Sequence, residues 1–330
     1  MKRHKICKII LAILAFFLCV AFYELIGICI TYKKQPAVSD ATIKETQNIM
    51  SVAGRENTER AVIIEKNSQA LLERVRLIQN AKDEIILSTF AFKSDESGKL
   101  ILGALHDAAD RGVHVRILVD GMESWIDMEG NPYFYGLSSH ENVEIKLYNK
   151  ANPLKPWKTM GRMHDKYLIA DGKIYILGGR NTYNYFLGDF PGHKNFDRDV
   201  LVVCDEPQKD NSVNQLWNYF ETIWEQEDCR YFHNSKKLAD RQSVKKAVLE
   251  LQEGYQQYFV VNKEKICDTD YADETFETEK ITLLSNPIHT GAKEPVVWYQ
   301  LGELMKNAKE RVKIHTPYII CNDMMYNTWE

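Results

Sequence analysis

The stretch Arg162–Asn181, RMHDKYLIADGKIYILGGRN, contains the pattern that decides the fold. Apolar residues alternate on both sides of Asp171-Gly172, and an Asp-Gly pair readily takes the positive φ angles of a two-residue type I′ turn. The sequence therefore predicts a β-hairpin centred on this pair. His164 and Lys166 are two residues apart on its first strand, so we expect their side chains on the same face of the sheet.

The turn also predicts how the two strands pair. With Asp-Gly at the turn, Lys166 is expected opposite Leu177 and His164 opposite Gly179. Glycine has no side chain, so Gly178 and Gly179 would leave room for a ligand beside the histidine. This arrangement predicts a phosphate site.

The residue types suit phosphoryl transfer. A neutral imidazole at His164 can attack phosphorus, and Lys166 on the same face can neutralise the non-bridging oxygens. Asn181 can donate a hydrogen bond to the same oxygens. The alternative is a hairpin with a surface histidine and lysine, but the Asp-Gly turn, the flanking strands and the G-G-x-N that follows together favour a functional site.

The pattern H-x-K-x4-D followed by G-G-x-N resembles the signature of the phospholipase D superfamily. The GGRN form and the later DRDVLVV, residues 197–203, are most similar to bacterial cardiolipin synthases and related phospholipase D-like proteins. The resemblance extends over most of residues 61–230 and resumes near 281–323. It implies an α/β fold with a mixed sheet flanked by helices, as one complete lobe plus the start of a second.

The resemblance also implies roles for individual residues. It makes His164 the nucleophile that becomes a phosphohistidine, and it assigns the phosphate to Lys166 and Asn181. Gly179, expected beside the histidine, is the third predicted phosphate-binding residue. The motif aspartate, Asp171, is usually structural in the family, which fits its place at a turn. A carboxylate should orient the histidine, and Asp197 is the best match, with Asp199 as the alternative. No metal or other cofactor is implied, and the seven cysteines show no metal-site spacing.

Composition limits the partners. The 330 residues carry a net charge of -4, which argues against a general nucleic-acid binder. Charge is uneven, however, since basic residues dominate the segment 146–166, which leads into the predicted hairpin. A solvated loop is the default interpretation, and with Pro156 and Trp157 inside it the segment could also attract anionic headgroups at a membrane surface.

The N-terminus predicts membrane attachment. Residues 9–30 are almost wholly apolar, interrupted by Glu24, and are long enough to cross a bilayer as one helix. A cleaved signal peptide is the rival, but the run is longer than the usual signal core. More basic residues precede the span than follow it, so the positive-inside rule favours a single-pass cell-membrane protein with an extracytoplasmic catalytic part.

Periodicity predicts the order of elements between residues 71 and 258. A helix near 71–81, a strand at 84–92, a helix around 100–109 and a strand at 113–120 form a β-α-β unit with parallel strands. Short strands are expected at 142–148 and 200–203, an amphipathic helix at 213–224 and a partly helical stretch at 241–258. The predicted domains are a basic tail (1–8), a transmembrane anchor (9–31), a linker (32–60), a catalytic lobe (61–230), a connector (231–280) and an incomplete second lobe (281–330).

An internal repeat supports that last domain. Residues 80–89, NAKDEIILST, are echoed 227 residues later by 307–316, NAKERVKIHT, and TPY at 316–318 also resembles the opening of the family's second half. The same offset places a second catalytic histidine near position 391, beyond Glu330, and the 330 residues contain no second H-x-K-x4-D. In the family a second histidine protonates the leaving alcohol. The expectations are therefore a truncated chain, a homodimer that completes the site, or an inactive protein, with truncation favoured.

The sequence predicts a membrane-anchored phosphatidyltransferase that resembles cardiolipin synthase and acts on an anionic phospholipid at the membrane. A phosphodiesterase that hydrolyses phospholipid or nucleic acid is the second hypothesis, and the anchor and the negative net charge argue against nucleic acid. The third is a catalytically inactive, truncated lipid-binding membrane protein.

Overall fold

The computed structural model describes residues 2–51, 58–314, 316 and 326. These residues fall into two compact units. The larger unit comprises the described residues of 56–151 and 162–282, and the smaller one those of 1–55, 152–161 and 283–330. The predicted hairpin lies in the larger unit.

Nine described strands form one sheet in the larger unit. In chain order they are β1 (Arg60–Ile64), β2 (Glu84–Thr89), β3 (His114–Asp120), β4 (Val143–Tyr148), β5 (Tyr167–Ala170), β6 (Ile174–Gly178), β7 (Asp199–Val203), β8 (Cys229–Tyr231) and β9 (Phe276–Glu277). Their order across the sheet is β8-β4-β3-β2-β5-β6-β7-β1-β9. β2, β3 and β4 pair in parallel and all other neighbours pair antiparallel, so the sheet is mixed as predicted.

The helices of the larger unit lie between these strands along the chain. They are α3 (Asn67–Asn80), α4 (Glu96–Asp110), α5 (Gly121–Asp127), α6 (Pro132–Ser138), α7 (Ser212–Trp224), α8 (Lys236–Ala239) and α9 (Gln242–Cys267). Asp95 caps the start of α4 by accepting a hydrogen bond from the Gly98 N–H, and Gly112 at φ +93° follows the end of the helix. Because α4 joins the parallel strands β2 and β3, the predicted β-α-β unit is confirmed.

Helices cover both faces of the sheet. Side chains alternate between faces along a strand, and on β3 Val115 and Ile117 are fully buried in the hydrophobic core shared with α3 and α4. Between them, Arg116 points to the opposite face, where its guanidinium lies 4.8 Å from the ring centroid of Phe220 on α7. The two faces are thus buried by different helices.

Helix α9 lies in the segment predicted to be a connector. It packs against α3, α4 and α6, with Leu251 and Tyr255 almost fully buried. Gly103 of α4 permits the close approach, since a Cβ atom there would lie 2.6 Å from the Leu251 carbonyl oxygen. Helix α9 therefore contributes buried side chains to the hydrophobic core of the larger unit.

The smaller unit contains α1 (Lys2–Tyr32), α2 (Asp40–Ser51), a short 3₁₀ helix (Pro156–Met160) and α10 (Val296–Lys306). Within α1, residues 4–32 form a helix long and apolar enough to cross a membrane, and the apolar part is unburied. Helix α2 lies inside the predicted linker. It is tied to residues near α10, because Glu294 accepts hydrogen bonds from the Ser39 N–H at 2.7 Å and the Thr42 hydroxyl at 2.6 Å.

The second copy of the repeat starts like the first. Helix α10 ends at Lys306, just before the echoed segment, as α3 ends at Asn80 before β2. Residues 311–314, which correspond to the start of β2, are described outside any helix or strand. Residues 317–325, which include most of the predicted TPY opening, lie outside the described residues. The predicted second lobe and the other predicted domain boundaries stay predictions.

Candidate active site

The β5–β6 hairpin turns where the sequence predicts, but its register differs. Asp171 and Gly172 both have positive φ angles, 52° and 61°, as a type I′ turn requires. The loop has a third residue, Lys173, however, so that Ala170 pairs with Ile174. The predicted pairing of Lys166 with Leu177 is therefore wrong by one residue.

The shifted register changes which residues lie beside Gly178 and Gly179. The Gly178 N–H donates to the Lys166 carbonyl oxygen at 3.2 Å. A Cβ atom on Gly178 would lie 2.0 Å from an Asp199 carboxylate oxygen, and one on Gly179 would lie 2.0 Å from an Asp197 carboxylate oxygen. The missing side chains of the two glycines thus make room for two aspartates, and the predicted contact of Gly179 with phosphate stays a prediction.

Asp171 holds the start of β2. Its carboxylate accepts hydrogen bonds from the backbone N–H groups of Lys82, Asp83 and Glu84 at 2.8–3.2 Å. A carboxylate shared by three consecutive N–H groups fixes the end of a loop and has little capacity left for a substrate. The turn position and these contacts favour a structural role for Asp171.

His164 lies just before β5 and is exposed on one side. Its ring packs edge-on against Phe90, with the centroids 4.5 Å apart. The Arg162 guanidinium lies 4.8 Å, and the Lys166 ammonium 5.2 Å, from the centroid of the same Phe90 ring. Desolvation by the surrounding protein, followed by the positive charge of Lys166, lowers the pKa of His164 below its ordinary value. The imidazole is therefore neutral at pH 7.

Lys166 is buried, with 6% of its surface exposed. Its ammonium donates to the His164 carbonyl oxygen at 2.5 Å. Burial lowers the pKa of Lys166 to about 8, although the carboxylates of Asp165, Asp197 and Asp120 oppose the shift. A desolvated cation of this kind interacts strongly with an incoming anion.

Asn181 lies next to this cluster because its side chain binds the backbone beside Phe90. Its side-chain oxygen accepts a hydrogen bond from the Ala91 N–H at 3.1 Å, and Ala91 follows the Phe90 that packs on His164. An N–H donor can bond only to the oxygen end of the amide, so this contact orients the side chain. The amide nitrogen of Asn181 makes no hydrogen bond within the described part of the chain, which leaves two N–H donors for a ligand.

The two candidate orienting carboxylates have different surroundings. The Asp199 carboxylate, fully buried, forms ion pairs with Arg74 at 3.0 Å and with Arg180 at 3.2 Å. That of Asp197 accepts from the Arg198 N–H at 2.7 Å. Neither of them bonds to the His164 ring among the described residues, so the orienting role stays a prediction.

Asp120, at the end of β3, holds the segment before the histidine. Its buried carboxylate accepts hydrogen bonds from the Arg162 guanidinium at 2.9 and 3.0 Å and from the Met163 N–H at 3.1 Å. It also accepts from the N–H groups that open α5. Arg162 Nη2, which lies 2.7 Å from Asp120, also donates to the Glu123 carboxylate at 3.0 Å. Two carboxylates thus clamp the residues that lead into His164.

Residues 75–224 match the family model described as the phospholipase D-like domain of cardiolipin synthase. Residues 75–224 belong to the phospholipase D superfamily. The chain is 27% identical over 292 residues to an uncharacterized protein of Helicobacter pylori. That alignment covers 80% of this chain and 55% of the Helicobacter protein. The chain is 29% identical over 154 residues to cardiolipin synthase C of Escherichia coli, which covers 42% of this chain and 31% of the synthase. The chain thus spans about half, or less, of these relatives.

The solved structures that match part of this chain include a phospholipase D family member and a phosphatidylserine synthase. The phospholipase D family member Nuc from Salmonella typhimurium superposes with a TM-score of 0.38 at 20% identity, covering 53% of this chain and 99% of that one. Phosphatidylserine synthase of Haemophilus influenzae superposes with a TM-score of 0.45 at 15% identity, covering 66% and 48%.

For this phospholipase D superfamily protein, sequence reasoning missed Asp120 and Phe90. Asp120 has a weak signal, an aspartate at the carboxyl end of a parallel strand, where sites of α/β sheets gather. Phe90 has none, because the predicted strand 84–92 contains two phenylalanines and nothing in the sequence singles out one of them.

Proposed function

We propose that this chain is a membrane-anchored phosphatidyltransferase that acts through a phosphohistidine at His164. The observation that best supports the proposal is that the exposed imidazole of His164 and the buried ammonium of Lys166 pack on the same Phe90 ring. An unprotonated ring nitrogen is the form that attacks phosphorus. The relatives named cardiolipin synthase support a phospholipid as substrate.

In the first step, a ring nitrogen of His164 attacks the phosphorus of a phosphodiester, and the bond from phosphorus to the leaving alcohol breaks. Negative charge grows on the non-bridging oxygens. Lys166 and the free amide of Asn181 would stabilise this charge, because preorganised donors in a desolvated site act most strongly where charge develops. In the second step an acceptor hydroxyl attacks phosphorus, the P–N bond breaks and His164 is released.

The departing alcohol needs a proton, and the acceptor must lose one. We infer that a second imidazole supplies both transfers, as general acid and then as general base. The chain carries a single H-x-K-x4-D, so this group would come from a second copy of the chain or from a C-terminal lobe. Neither a metal nor another cofactor is required by this mechanism.

Helix α1 would hold the protein in the cell membrane as a single-pass anchor. Its length and composition support this. The surplus of basic residues before the span supports an extracytoplasmic catalytic part. The proposed substrate, an anionic phospholipid, would then be met at the membrane surface.

The test uses the full chain in vesicles that contain phosphatidylglycerol labelled in its phosphate. We expect an acid-labile, base-stable labelled adduct on the protein, a two-phosphatidyl product and released glycerol. His164→Ala should abolish the adduct, whereas His114→Ala, an exposed histidine of the same unit, should keep it. Phosphatidic acid in place of the two-phosphatidyl product would show a hydrolase. Binding to vesicles without an adduct, even for a purified dimer, would refute the proposed chemistry.

A further inference from the structure

The loop of residues 152–161 packs on the C-terminal end of α1, and both belong to the smaller unit. The Trp157 ring meets the Tyr23 ring edge-on with the centroids 5.2 Å apart. The Tyr23 hydroxyl donates to the Leu154 carbonyl oxygen at 2.8 Å. The loop is therefore attached to the helix by ring packing and by a hydrogen bond.

Gly27 makes this attachment specific. A Cβ atom at this position would lie 2.1 Å from Trp157 Cε3, so no larger residue fits under the ring. Gly27 is buried, whereas the preceding residue, Ile26, is 55% exposed. The helix thus carries a notch that receives Trp157.

The position of the notch along the helix fixes its depth. The apolar run of residues 9–30 is about 33 Å long at 1.5 Å per residue, which matches a hydrocarbon core of about 30 Å. Gly27 lies three residues before the end of that run, or about 4.5 Å along the axis. Trp157 is consequently level with the boundary between hydrocarbon and headgroups, where tryptophan and tyrosine concentrate in membrane proteins.

The rest of the loop has the composition of such a boundary. Leu154 is 77% exposed and Met160 is 62% exposed, one near each end of the loop. Lys155 is exposed between them. Two exposed apolar side chains next to a lysine suit a surface that offers both acyl chains and anionic headgroups.

We propose that residues 152–161 form a membrane-docking loop, which inserts Leu154 and Met160 into the bilayer interface at the C-terminal end of α1. The inference rests on the proposed anchoring by α1. Its consequence for the site follows from the chain itself. Met160 precedes His164 by four residues, which span at most about 14 Å when fully extended. The docking loop thus keeps the nucleophile within reach of the headgroup layer.

The test places the photocrosslinker p-benzoylphenylalanine at position 154 or 160 of the full chain in vesicles that contain anionic phospholipid. Position 261 is the matched control, since Val261 is 82% exposed on the larger unit. Irradiation followed by mass spectrometry measures lipid adducts. Because the interface favours an apolar side chain over water, we expect at least about tenfold more adduct at 154 and 160 than at 261.

A second pair of variants tests the notch. Gly27→Val should displace Trp157 and lower the lipid adduct at position 154 severalfold, while carbonate washing still leaves the protein in the membrane fraction. Ala15→Val, on the exposed part of α1, should change neither. Equal adduct at 154 and 261, or an adduct unaffected by Gly27→Val, would overturn the docking loop in a protein that remains anchored. If carbonate releases the protein that has Gly27, the proposed anchoring is overturned instead, and the docking loop with it.

Discussion

Replacing Asp199 with asparagine removes a negative charge from a site that holds two buried arginines. Arg74 and Arg180 lie 3.0 and 3.2 Å from its carboxylate, and the three side chains are 0–5% exposed. At an effective dielectric constant of about 20, each contact corresponds to about 5 kcal/mol of Coulomb energy, which the desolvation of the ions largely offsets. Removing one partner of a buried ion pair costs about 3–5 kcal/mol, because the remaining charge stays buried.

The arginines keep other partners in the variant. Arg180 also donates to the carbonyl oxygens of Ile64 and Glu65, and Arg74 to that of Ala70. We therefore expect Asp199→Asn to lower the free energy of unfolding by about 3 kcal/mol, at the lower end of that range. For a unit of this size, this corresponds to a melting temperature lower by roughly 6–12 °C.

The assay is thermal and urea unfolding of the full chain in detergent, followed by far-UV circular dichroism. Asp273→Asn, an exposed aspartate of the same unit, is the control and should change stability by less than about 0.5 kcal/mol. If Asp199→Asn lowers the free energy of unfolding no more than the control does, the argument that Asp199 stabilises the two buried arginines is refuted. Normal stability with lost adduct formation would instead make Asp199 the carboxylate that orients His164.

Two further predictions concern activity. Below the lowered pKa of His164 the imidazole is protonated, and above the pKa of about 8 Lys166 is neutral, so kcat/KM should be bell-shaped and fall above about pH 8. Lys166→Arg, with a cation that persists at high pH, should lose this alkaline decline, and an unchanged decline would assign it to another group. Asp120→Asn should lower kcat about 100-fold with little effect on KM, because freeing Arg162 displaces the nucleophile and a shift of about 1 Å is enough for such a loss. Wild-type kcat in that variant, measured beside Asp273→Asn, would show that the clamp does not position His164.

Local patterns predicted much of the fold. The strands at 84–92 and 113–120 correspond to β2 and β3, and their parallel pairing follows from the helix between them. The helix at 213–224 is α7. In these elements apolar residues recur over several turns or alternations, so that their pattern is visible in the sequence.

The hairpin register was not predictable from its turn residues. Asp171 and Gly172 adopt the expected angles, but Lys173 is added to the loop. Asp171 is held from outside the hairpin by three N–H groups at residues 82–84, and β5 pairs with β2 as well as with β6. Contacts with a strand 80 residues away thus take part in setting a register that the hairpin alone would leave at two loop residues.

The candidate site was predictable only in its motif. His164, Lys166 and Asn181 follow from spacing, whereas Phe90 and Asp120 come from strands distant in sequence. The role of a residue such as Asp120 depends on which segment the fold brings to the end of its strand. No periodicity or motif in a single sequence marks where these distant segments meet, so the role of Asp120 could not be predicted.

The docking loop is also an insertion with fixed ends. The chain leaves the larger unit after residue 151 and re-enters it at 162. The Asn149 N–H donates to the Asp228 carbonyl oxygen at 2.8 Å on the way out, and Arg162 is clamped by Asp120 on the way back. A segment secured on both sides can change in length and sequence without shifting β5. Grafting loops from relatives between these two points is therefore a direct route to redirecting such a protein to membranes of different lipid composition, with the reacting groups left in place.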